Sequence, residues 1–252
     1  MLGASPVRPA AAGGRTTGRP FGIRPAAPRG PRGSGHRLIA PSGSGRRPAG
    51  NPVEPVRLAG WDEPVTIFLR TDRLVLREFT TADAELLVEL DGDPEVMRHL
   101  TGGRPTPPEV VRHVTLPRIL AHYRRAPGLG WWAAADQSSG RFLGWFEFRP
   151  LHDGDPREIE LGYRLRRAAW GAGRATEGCQ ALIDKGFTAL GVERVTANTM
   201  AVNTRSRRVM EKCGLRYVRT FHADWPEPIA GSEHGEVEYA LTRREWHDRR
   251  AG

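Results

Sequence analysis

The stretch EIELGYRLRRAAWGAGRATEG, from Glu158 to Gly178, contains a strand, a loop and the start of a helix. Polar and apolar side chains alternate from Glu158 to Leu165, which predicts a strand with one polar face. After Gly173, small or apolar residues recur with a helical period at Ala175, Cys179, Leu182, Ile183 and Phe187. That spacing predicts a helix with one face packed on a sheet.

The loop between these two elements has three interpretations from its residues alone. Gly171 and Gly173 let the backbone approach a ligand closely, and Arg174 adds a positive charge. The N–H groups from about Ala169 to Arg174 would lack partners at a helix N-terminus, which favours a phosphate. The same glycines equally allow a hinge or close helix–sheet packing. Thr176 stands where a dinucleotide-binding GxGxxG motif has its third glycine, so that class is not indicated.

Working outward from this stretch, alternation and turn residues predict six further strands: Leu74–Phe79, Trp131–Ala135, Phe142–Pro150, Glu193–Asn198, Leu215–Phe221 and Glu236–Thr242. Helices are predicted after a cap at Thr80 or Thr81, around 96–99, over 110–123 with a kink at Pro117, and over 203–213. This order predicts one α+β domain with a mixed, mostly antiparallel central sheet flanked by helices.

The N-terminal segment differs sharply in composition from the rest of the chain. Its first 60 residues contain ten arginines and one acidic residue, so the overall net charge of +9 comes from this segment. Rich in Gly and Pro and without an amphipathic period, it predicts a disordered tail over residues 1–62, ahead of a domain over 63–252. An extension without function, a weak polyanion-binding segment and a targeting segment all fit this composition.

Cysteine use and hydropathy limit the class of protein. Cys179 and Cys213 are the only cysteines, and both lie on the apolar side of a predicted helix. Two buried thiols fit a reduced cytoplasmic protein better than a disulfide scaffold. No CxxC or HExxH motif and no long apolar run occurs, so the sequence predicts neither a metal site nor contact with a membrane.

Several segments together resemble the GNAT (GCN-related N-acetyltransferase) superfamily. They are EIELGYRL with RRAAWGAGRATEG, then RVTANTMAVNTRSRRVMEKCGL, with LRTDRLVLREFTTAD before them and YALTRREW after them. The closer likeness, over about residues 67–246, is to the branch that acetylates N-terminal amines of ribosomal proteins. The resemblance implies a GNAT-like fold with acetyl-coenzyme A as co-substrate and a homodimer of the kind common in the family, although no stretch shows an interface.

The resemblance also carries a set of expected cofactor contacts. They are Gly162, Tyr163, Arg166, Ala169, Trp170, Gly171, Ala172, Gly173, Arg174, Ala175, Asn198, Asn203 and Ser206. The chain departs from the family pattern at Met210, where a tyrosine often protonates the departing thiolate, because a thioether has no proton to give. In the resembling branch a serine lies near the thiol, and Ser206 occupies that position.

Acetyl transfer needs a base for the amine, a donor for the oxyanion and a proton for the thiolate. Glu160 is the favoured base, directly or through a water, with Glu158 second, and a backbone donor is expected near Gly162–Tyr163. Glu160 is equally read as an ammonium anchor or as the partner of an arginine on the next strand. Ser206 is expected to assist the thiol, although it can also simply face the start of its helix.

The functional prediction is therefore an acetyl-coenzyme-A-dependent N-acetyltransferase acting on a peptide N-terminus or a small-molecule amine. Met210 supports the alternative of a catalytically impaired acyl-coenzyme-A sensor or scaffold. A third hypothesis assigns nucleic-acid binding to the basic tail alone, because the remainder of the chain is formally neutral. The long segment from His222 to Gly235 is predicted to form a lid or to line the acceptor pocket, and His222 and His234 are minor candidates there.

Overall fold

The computed structural model describes residues 55–56, 65–152, 155–223, 225 and 227–251. Its strands are β1 Pro55–Val56, β2 Val65–Arg70, β3 Leu74–Arg77, β4 Gly130–Asp136, β5 Phe142–His152, β6 Asp155–Leu165, β7 Arg194–Met200, β8 Arg216–Phe221 and β9 Glu236–Thr242. Its helices are α1 Ala84–Gly92, α2 Pro94–Thr101, α3 Pro108–Val110, α4 Leu116–Arg125, α5 Arg174–Ala189, α6 Thr204–Lys212 and α7 Arg243–Ala251.

The described strands form one sheet in the order β1-β2-β3-β4-β5-β6-β7-β9-β8. Among their pairings, β6 with β7 is parallel and the others are antiparallel. The prediction of a single α+β domain with a mixed, mostly antiparallel sheet is therefore confirmed. The crossover between the two parallel strands contains α5, as a parallel connection requires.

The sheet separates two apolar layers. On one face, α5 and α6 cover a large cluster that includes Phe146, Phe148 and Leu182, each 0% exposed. On the other face, α1 and α2 with the segment from α3 to α4 cover a second cluster, including Leu87 and Trp131. Strand residues alternate between these layers, so successive side chains of β6 face the α5 layer and the α1 layer in turn.

Three features differ from the sequence prediction. β2 and α7 were not predicted: β2 pairs with β3 through a bulge, and α7 is mostly charged, so neither gives a clear period. α7 is anchored by Trp246, whose Nε1 donates to Asp184 Oδ1 over 2.8 Å. The expected kink at Pro117 is instead a π-helical turn, Val111–Thr115, between α3 and α4.

The predicted tail lies almost wholly outside the described residues. Within its range the structure describes β1, whose Pro55 and Val56 pair with Thr66 and Val65 of β2. Across the described residues, no helix has the length and apolar character needed to cross a membrane.

Candidate functional site

A gap opens in the middle of the sheet where β6 and β7 part. Their pairing covers Glu158, Ile159 and Glu160 opposite Arg194, Val195 and Thr196, and in the described residues it continues no further. Beyond it, β6 remains paired with β5 as far as Leu165, and β7 remains paired with β9 as far as Met200. Two strand edges therefore face each other across a slot that ends beside the loop before α5.

The loop presents a row of backbone donors to this slot. Gly171 and Gly173 have left-handed φ angles of 75° and 74°, a conformation that glycine adopts without strain. Within the described residues, the N–H groups from Gly171 to Thr176 have no hydrogen-bond partner, as expected at a helix N-terminus. The expectation of free donors from Ala169 onward was wrong at its start. Ala169 and Trp170 donate to Arg166 O and Arg167 O in a 3₁₀ turn.

Contacts around the glycines decide between a ligand cradle and a packing role. A Cβ atom at Gly171 would meet nothing within 4 Å, and one at Gly173 would meet only the Arg73 guanidinium, at 3.4 Å. Close packing of α5 falls instead to Gly178 and Gly186, where a Cβ would lie 2.6 Å from ring carbons of Phe146 and Phe148. The loop glycines therefore leave open space beside unpaired donors, which is the arrangement that an anion requires.

A side-chain clamp fixes the shape of this loop. The carboxylate of Glu177, in the first turn of α5, accepts from Thr71 Oγ1 at 2.6 Å, Arg73 N at 2.9 Å and Arg73 Nε at 2.6 Å. Arg73 also donates to the carbonyl oxygen of Ala172, over 2.7 Å. The short turn between β2 and β3 thus holds both the loop and the helix that follows it. Burial alone would raise the pKa of Glu177, but the hydrogen bonds from Thr71 and Arg73 lower it.

Replacing Glu177 with glutamine should destabilise the fold at pH 7 by about 1–2 kcal/mol, because charge-assisted hydrogen bonds are lost. Since the folded-state pKa lies below the ordinary value of 4.5, this stabilisation is present above that pH and lost as the pH falls. Thermal melting should therefore show a Tm difference between wild type and Glu177→Gln that shrinks from pH 7 to about pH 4. Glu85→Gln, which breaks an exposed pair with Arg112, is the control. If the Tm difference between wild type and Glu177→Gln were equal at both pH values, the ionised Glu177 carboxylate would not stabilise the loop as described.

Arg174 is less available than the sequence suggested. Its guanidinium lies 3.0 Å from Asp136 Oδ2, and both side chains are mostly buried. Hydrogen bonds, from Ser138 first and from Arg174 after it, hold the pKa of Asp136 well below its usual range. Arg174 therefore acts as a tether between α5 and the β4–β5 turn.

Two carboxylates and one arginine lie on the α1-facing side of the sheet next to the slot. Arg149 Nη2 lies 2.5 Å from Glu160 Oε2, and Arg149 Nε is hydrogen-bonded to Glu147. Glu147 and Glu160 are 5% and 9% exposed. A Cβ at Gly162, opposite Glu147 in the ladder, would lie 2.9 Å from Glu147 Oε2. Glu160 is thus paired with an arginine of the next strand, one of the three readings that the sequence left open.

Glu147 was not predicted from the sequence. The sequence feature that could have indicated it is its position two residues before Arg149 in FLGWFEFRP, because that spacing puts both side chains on one face of a strand. Glu158, the second candidate, lies on the same face of β6, where its carboxylate is 3.7 Å from His152 Nε2.

On the other side of the slot, α6 begins at a buried polar cap. Asn203 Oδ1 accepts from Ser206 N at 3.3 Å, and Asn203 Nδ2 donates to Thr199 Oγ1 at 3.0 Å. Ser206 is 0% exposed, and its Oγ has no hydrogen bond of ordinary geometry among the described residues. Burial raises the pKa of Tyr163, and the nearby Ser206 hydroxyl partly opposes that rise. Met210 is 2% exposed and belongs to the apolar core.

The remaining predicted cofactor contacts lie at different distances from the slot and the loop. Asn198 lies on β7 two residues beyond the last β6–β7 pair, and its buried Oδ1 has no partner in the described part of the chain. Trp170 closes the loop by donating from Nε1 to Leu165 O at 2.8 Å. Arg166 instead turns to α1, where its guanidinium lies 2.5 Å from Glu89 Oε2. Ala175 is half-buried in the first turn of α5.

The segment between β8 and β9 lines a cavity of about 660 Å³ together with the end of α2. Its lining residues are Arg98, His99, Thr101, Gly102, Arg104, Val202, Glu227, Pro228, Ile229, Ala230, Gly231 and His234. The segment therefore lines a pocket, and its assignment as the acceptor pocket stays a prediction. Of the two histidine candidates, His234 contributes to the lining, and His222 instead lies 3.3 Å from Glu233 O. Among the described residues, no group of three or more His, Cys, Asp or Glu could hold a metal ion.

Comparison with known proteins adds two findings on sequence. The sequence profile of the family described as "Acetyltransferase (GNAT) domain" matches residues 73–216. A protein of Aspergillus fumigatus named FsC-acetyl coenzyme A-N(2)-transacetylase is 36% identical over 185 residues, which cover 71% of this chain and 77% of that protein.

Solved structures share the fold. RimL, a ribosomal L7/L12 alpha-N-protein acetyltransferase solved with coenzyme A, superposes with a TM-score of 0.59 at 18% identity, covering 70% of this chain and 97% of that one. The spermidine N-acetyltransferase of Vibrio cholerae, solved with coenzyme A and spermine, gives a TM-score of 0.58 at 15% identity, covering 70% and 99%. At such identities the likeness establishes the fold alone.

Proposed function

Because the chain belongs to the GNAT acetyltransferase family, we propose that it transfers the acetyl group of acetyl-coenzyme A to an amine. The observation that carries this proposal is the slot between β6 and β7, which ends at unpaired N–H groups from Gly171 to Thr176. Phosphate oxygens fit such donors, and an extended acyl arm fits two facing strand edges.

The reaction needs no covalent enzyme intermediate. The amine nitrogen attacks the thioester carbon, the C–S bond breaks, and the products are an N-acetyl amine and coenzyme A. The proton lost by the amine balances the proton gained by the thiolate. In this proposal an N–H of the β6 edge near Gly162 stabilises the oxyanion, and the unpartnered Asn198 Oδ1 accepts an N–H of a substrate.

Glu160 and Ser206 act on opposite sides of the slot in this proposal. Glu160, supported by Arg149 and Glu147, holds the incoming ammonium, accepts one proton directly or through a water, and later releases it to solvent, while the second proton lost by the nitrogen balances the one gained by the thiolate. Ser206 donates a hydrogen bond to the departing sulfur from a buried position, with the Tyr163 hydroxyl beside it. Met210 lies in the core, so the proposal assigns it no chemistry.

The amine acceptor is a peptide N-terminus or a small molecule, as the names of the relatives suggest for those proteins. Cytoplasmic placement belongs to the same proposal, and it is supported by two buried, free cysteines, Cys179 and Cys213, which suit a reducing compartment.

The test is release of free thiol from acetyl-coenzyme A in the presence of a panel of peptides and small amines. Turnover with at least one amine, with a matching N-acetyl product by mass spectrometry, is the expected result. Tight binding of acetyl-coenzyme A with no turnover for any amine would favour the sensor or scaffold. Absence of binding would overturn the proposed site altogether.

Replacing Gly171 with alanine should raise the KM for acetyl-coenzyme A about tenfold with little change in kcat, because the left-handed φ and the ligand space are both lost. Gly191→Ala is a matched control, since Gly191 has a φ of 72° and nothing within 4 Å of its Cβ position. Both variants should lose similar stability, and only Gly171→Ala should change the KM. If the KM for acetyl-coenzyme A were equal in the two variants, the loop that contains Gly171 would not be part of the binding site for acetyl-coenzyme A.

A further inference from the structure

The cavity beside β7 is formed by α2 with the residues after it and by the β8–β9 segment, and these two walls are in contact at its edge. Gly102, at the C-terminal end of α2, packs against Ile229, where a Cβ would lie 3.1 Å from Ile229 Cγ2. Arg104 forms an ion pair with Glu227 from the opposite wall. These contacts join α2 to the β8–β9 segment and leave the cavity of about 660 Å³ between them.

The charge of the cavity lining is positive. Arg98 and Arg104 line it, and Glu227, the single acidic residue of the lining, is already paired with Arg104. Arg98 has one acidic neighbour, Glu95, at the long distance of 4.0 Å with both side chains exposed, and such a pair contributes little. One guanidinium therefore remains available to an anion inside the lining.

Two histidines add hydrogen-bonding capacity. His99 is half-buried, and its Nδ1 has no partner among the described residues. Burial first, and then the neighbouring Arg98, lowers the pKa of His99, so its ring is neutral at pH 7 and offers one N–H. His234 lies on the facing wall, with Glu233, outside the lining, 3.6 Å away.

The cavity lies along β7 from the slot. Asn198, the first unpartnered group beyond the β6–β7 pairing, is two residues before Met200, which is roughly 7 Å along a strand. A Cβ at Gly231, in the cavity lining, would lie 3.4 Å from Met200 Cε and 2.6 Å from Val202 Cγ2. Glu160 lies opposite Thr196, which is four residues before Met200 or roughly 13 Å along β7, and Arg98 is among the residues that line the cavity beyond Met200.

From this two-ended pattern we propose that the acceptor is an amine that also carries a carboxylate several bonds away, and that the cavity binds this carboxylate through Arg98 and the histidine N–H groups. The inference rests on the proposed function, because it assumes that Glu160 receives the amine. A spacing of roughly 7–13 Å between amine and carboxylate suits a short peptide with a free C-terminus, since each extended residue spans about 3.3–3.6 Å. A bare polyamine would bring a positive charge to Arg98.

The test uses pairs of amines that differ only in the carboxylate: triglycine against triglycinamide, and lysine against cadaverine. In the wild-type enzyme, kcat/KM for the carboxylated member should exceed that of its partner by at least about tenfold. Arg98→Ala should remove most of this preference by lowering kcat/KM for the acid alone, and Arg98→Lys should restore part of it. Arg98 is exposed, so the fold should tolerate both changes, which a melting curve checks.

Arg124→Ala, which removes an exposed arginine of α4 outside the cavity, is the matched control and should change neither member of a pair. Equal kcat/KM for the acid and its neutral or decarboxylated partner in wild type would overturn the inference. So would a loss in Arg98→Ala that is the same for both members, or turnover confined to amines without a carboxylate. Turnover of no amine at all would be recognised separately, as failure of the proposed function.

Discussion

Replacement of Glu160 by glutamine is expected to lower kcat/KM for the amine roughly 100-fold, the scale of losing a positioned proton acceptor. The amide keeps the volume and one hydrogen bond to Arg149 but can neither hold an ammonium by charge nor take its proton. The KM for acetyl-coenzyme A should remain near the wild-type value, because the proposal assigns the cofactor to the loop from Gly171 to Thr176 and the amine to Glu160. Thiol release measured at varied amine and varied acetyl-coenzyme A separates the two effects.

Glu158→Gln is the control, since Glu158 shares the same face of β6 but lies beside His152 at 3.7 Å. Glu147→Gln distinguishes an anchor from a base: a raised KM for the amine with kcat retained would assign Glu147 to binding. Ser206→Ala belongs in the same series, because it should lower kcat through the thiolate step. If both Glu160→Gln and Ser206→Ala turned over at the wild-type rate, both role assignments would fail, and the fold would be unaffected.

Replacement of Gly178 by alanine is expected to lower the free energy of unfolding by about 1–3 kcal/mol, the usual cost of overpacking a dense core. The new methyl group would lie 2.6 Å from Phe146 Cε1, and the Phe146 ring is 0% exposed with no space to retreat into. For a domain of this size the change corresponds to a loss of about 3–10 °C in Tm, measured by thermal melting.

Gly92→Ala supplies the comparison, because its Cβ would meet nothing within 4 Å and the position ends α1. It should be neutral or slightly stabilising, as alanine has the better helix propensity. Combining Gly178→Ala with Phe146→Leu should recover part of the lost stability, since neighbours that clash are not additive. A Gly178→Ala protein that melts with the wild type would mean that the helix does not approach the sheet as closely as described.

The glycines of α5 and its loop show what the sequence could and could not predict. The 3.6-residue period from Ala175 to Phe187 was sufficient to place α5, because periodicity is local. The residues next to Gly171 and Gly173 in the sequence could not show whether these glycines form an anion cradle or a packing contact. The answer depends on Phe146 and Phe148, which come from a strand earlier in the chain and pack on Gly178 and Gly186.

The same limit applies to the rest of the site. Glu160 was predicted from its place on the strand that leads into the loop, and Ser206 from its place in the family pattern; the roles of both stay predictions. The Thr71–Glu177 hydrogen bond joins residues 106 positions apart, and the Arg104–Glu227 pair joins residues 123 positions apart. Such contacts follow from the tertiary fold and leave no periodic trace in the sequence. The cavity was predicted only as a long segment between two strands.

The parting of β6 and β7 has one further consequence for the behaviour of the molecule in a crowded solution. An unsatisfied strand edge on the outside of a protein is adhesive, because it can recruit a strand from another chain and start an aggregate. Here the edges from Leu161 to Leu165 and from Ala197 to Met200 face inward, with α5 and α6 on one side and α1 and α2 on the other. Helices on both faces of the sheet leave these inner edges accessible to a narrow, extended ligand, which limits their capacity to recruit a strand from a second folded protein.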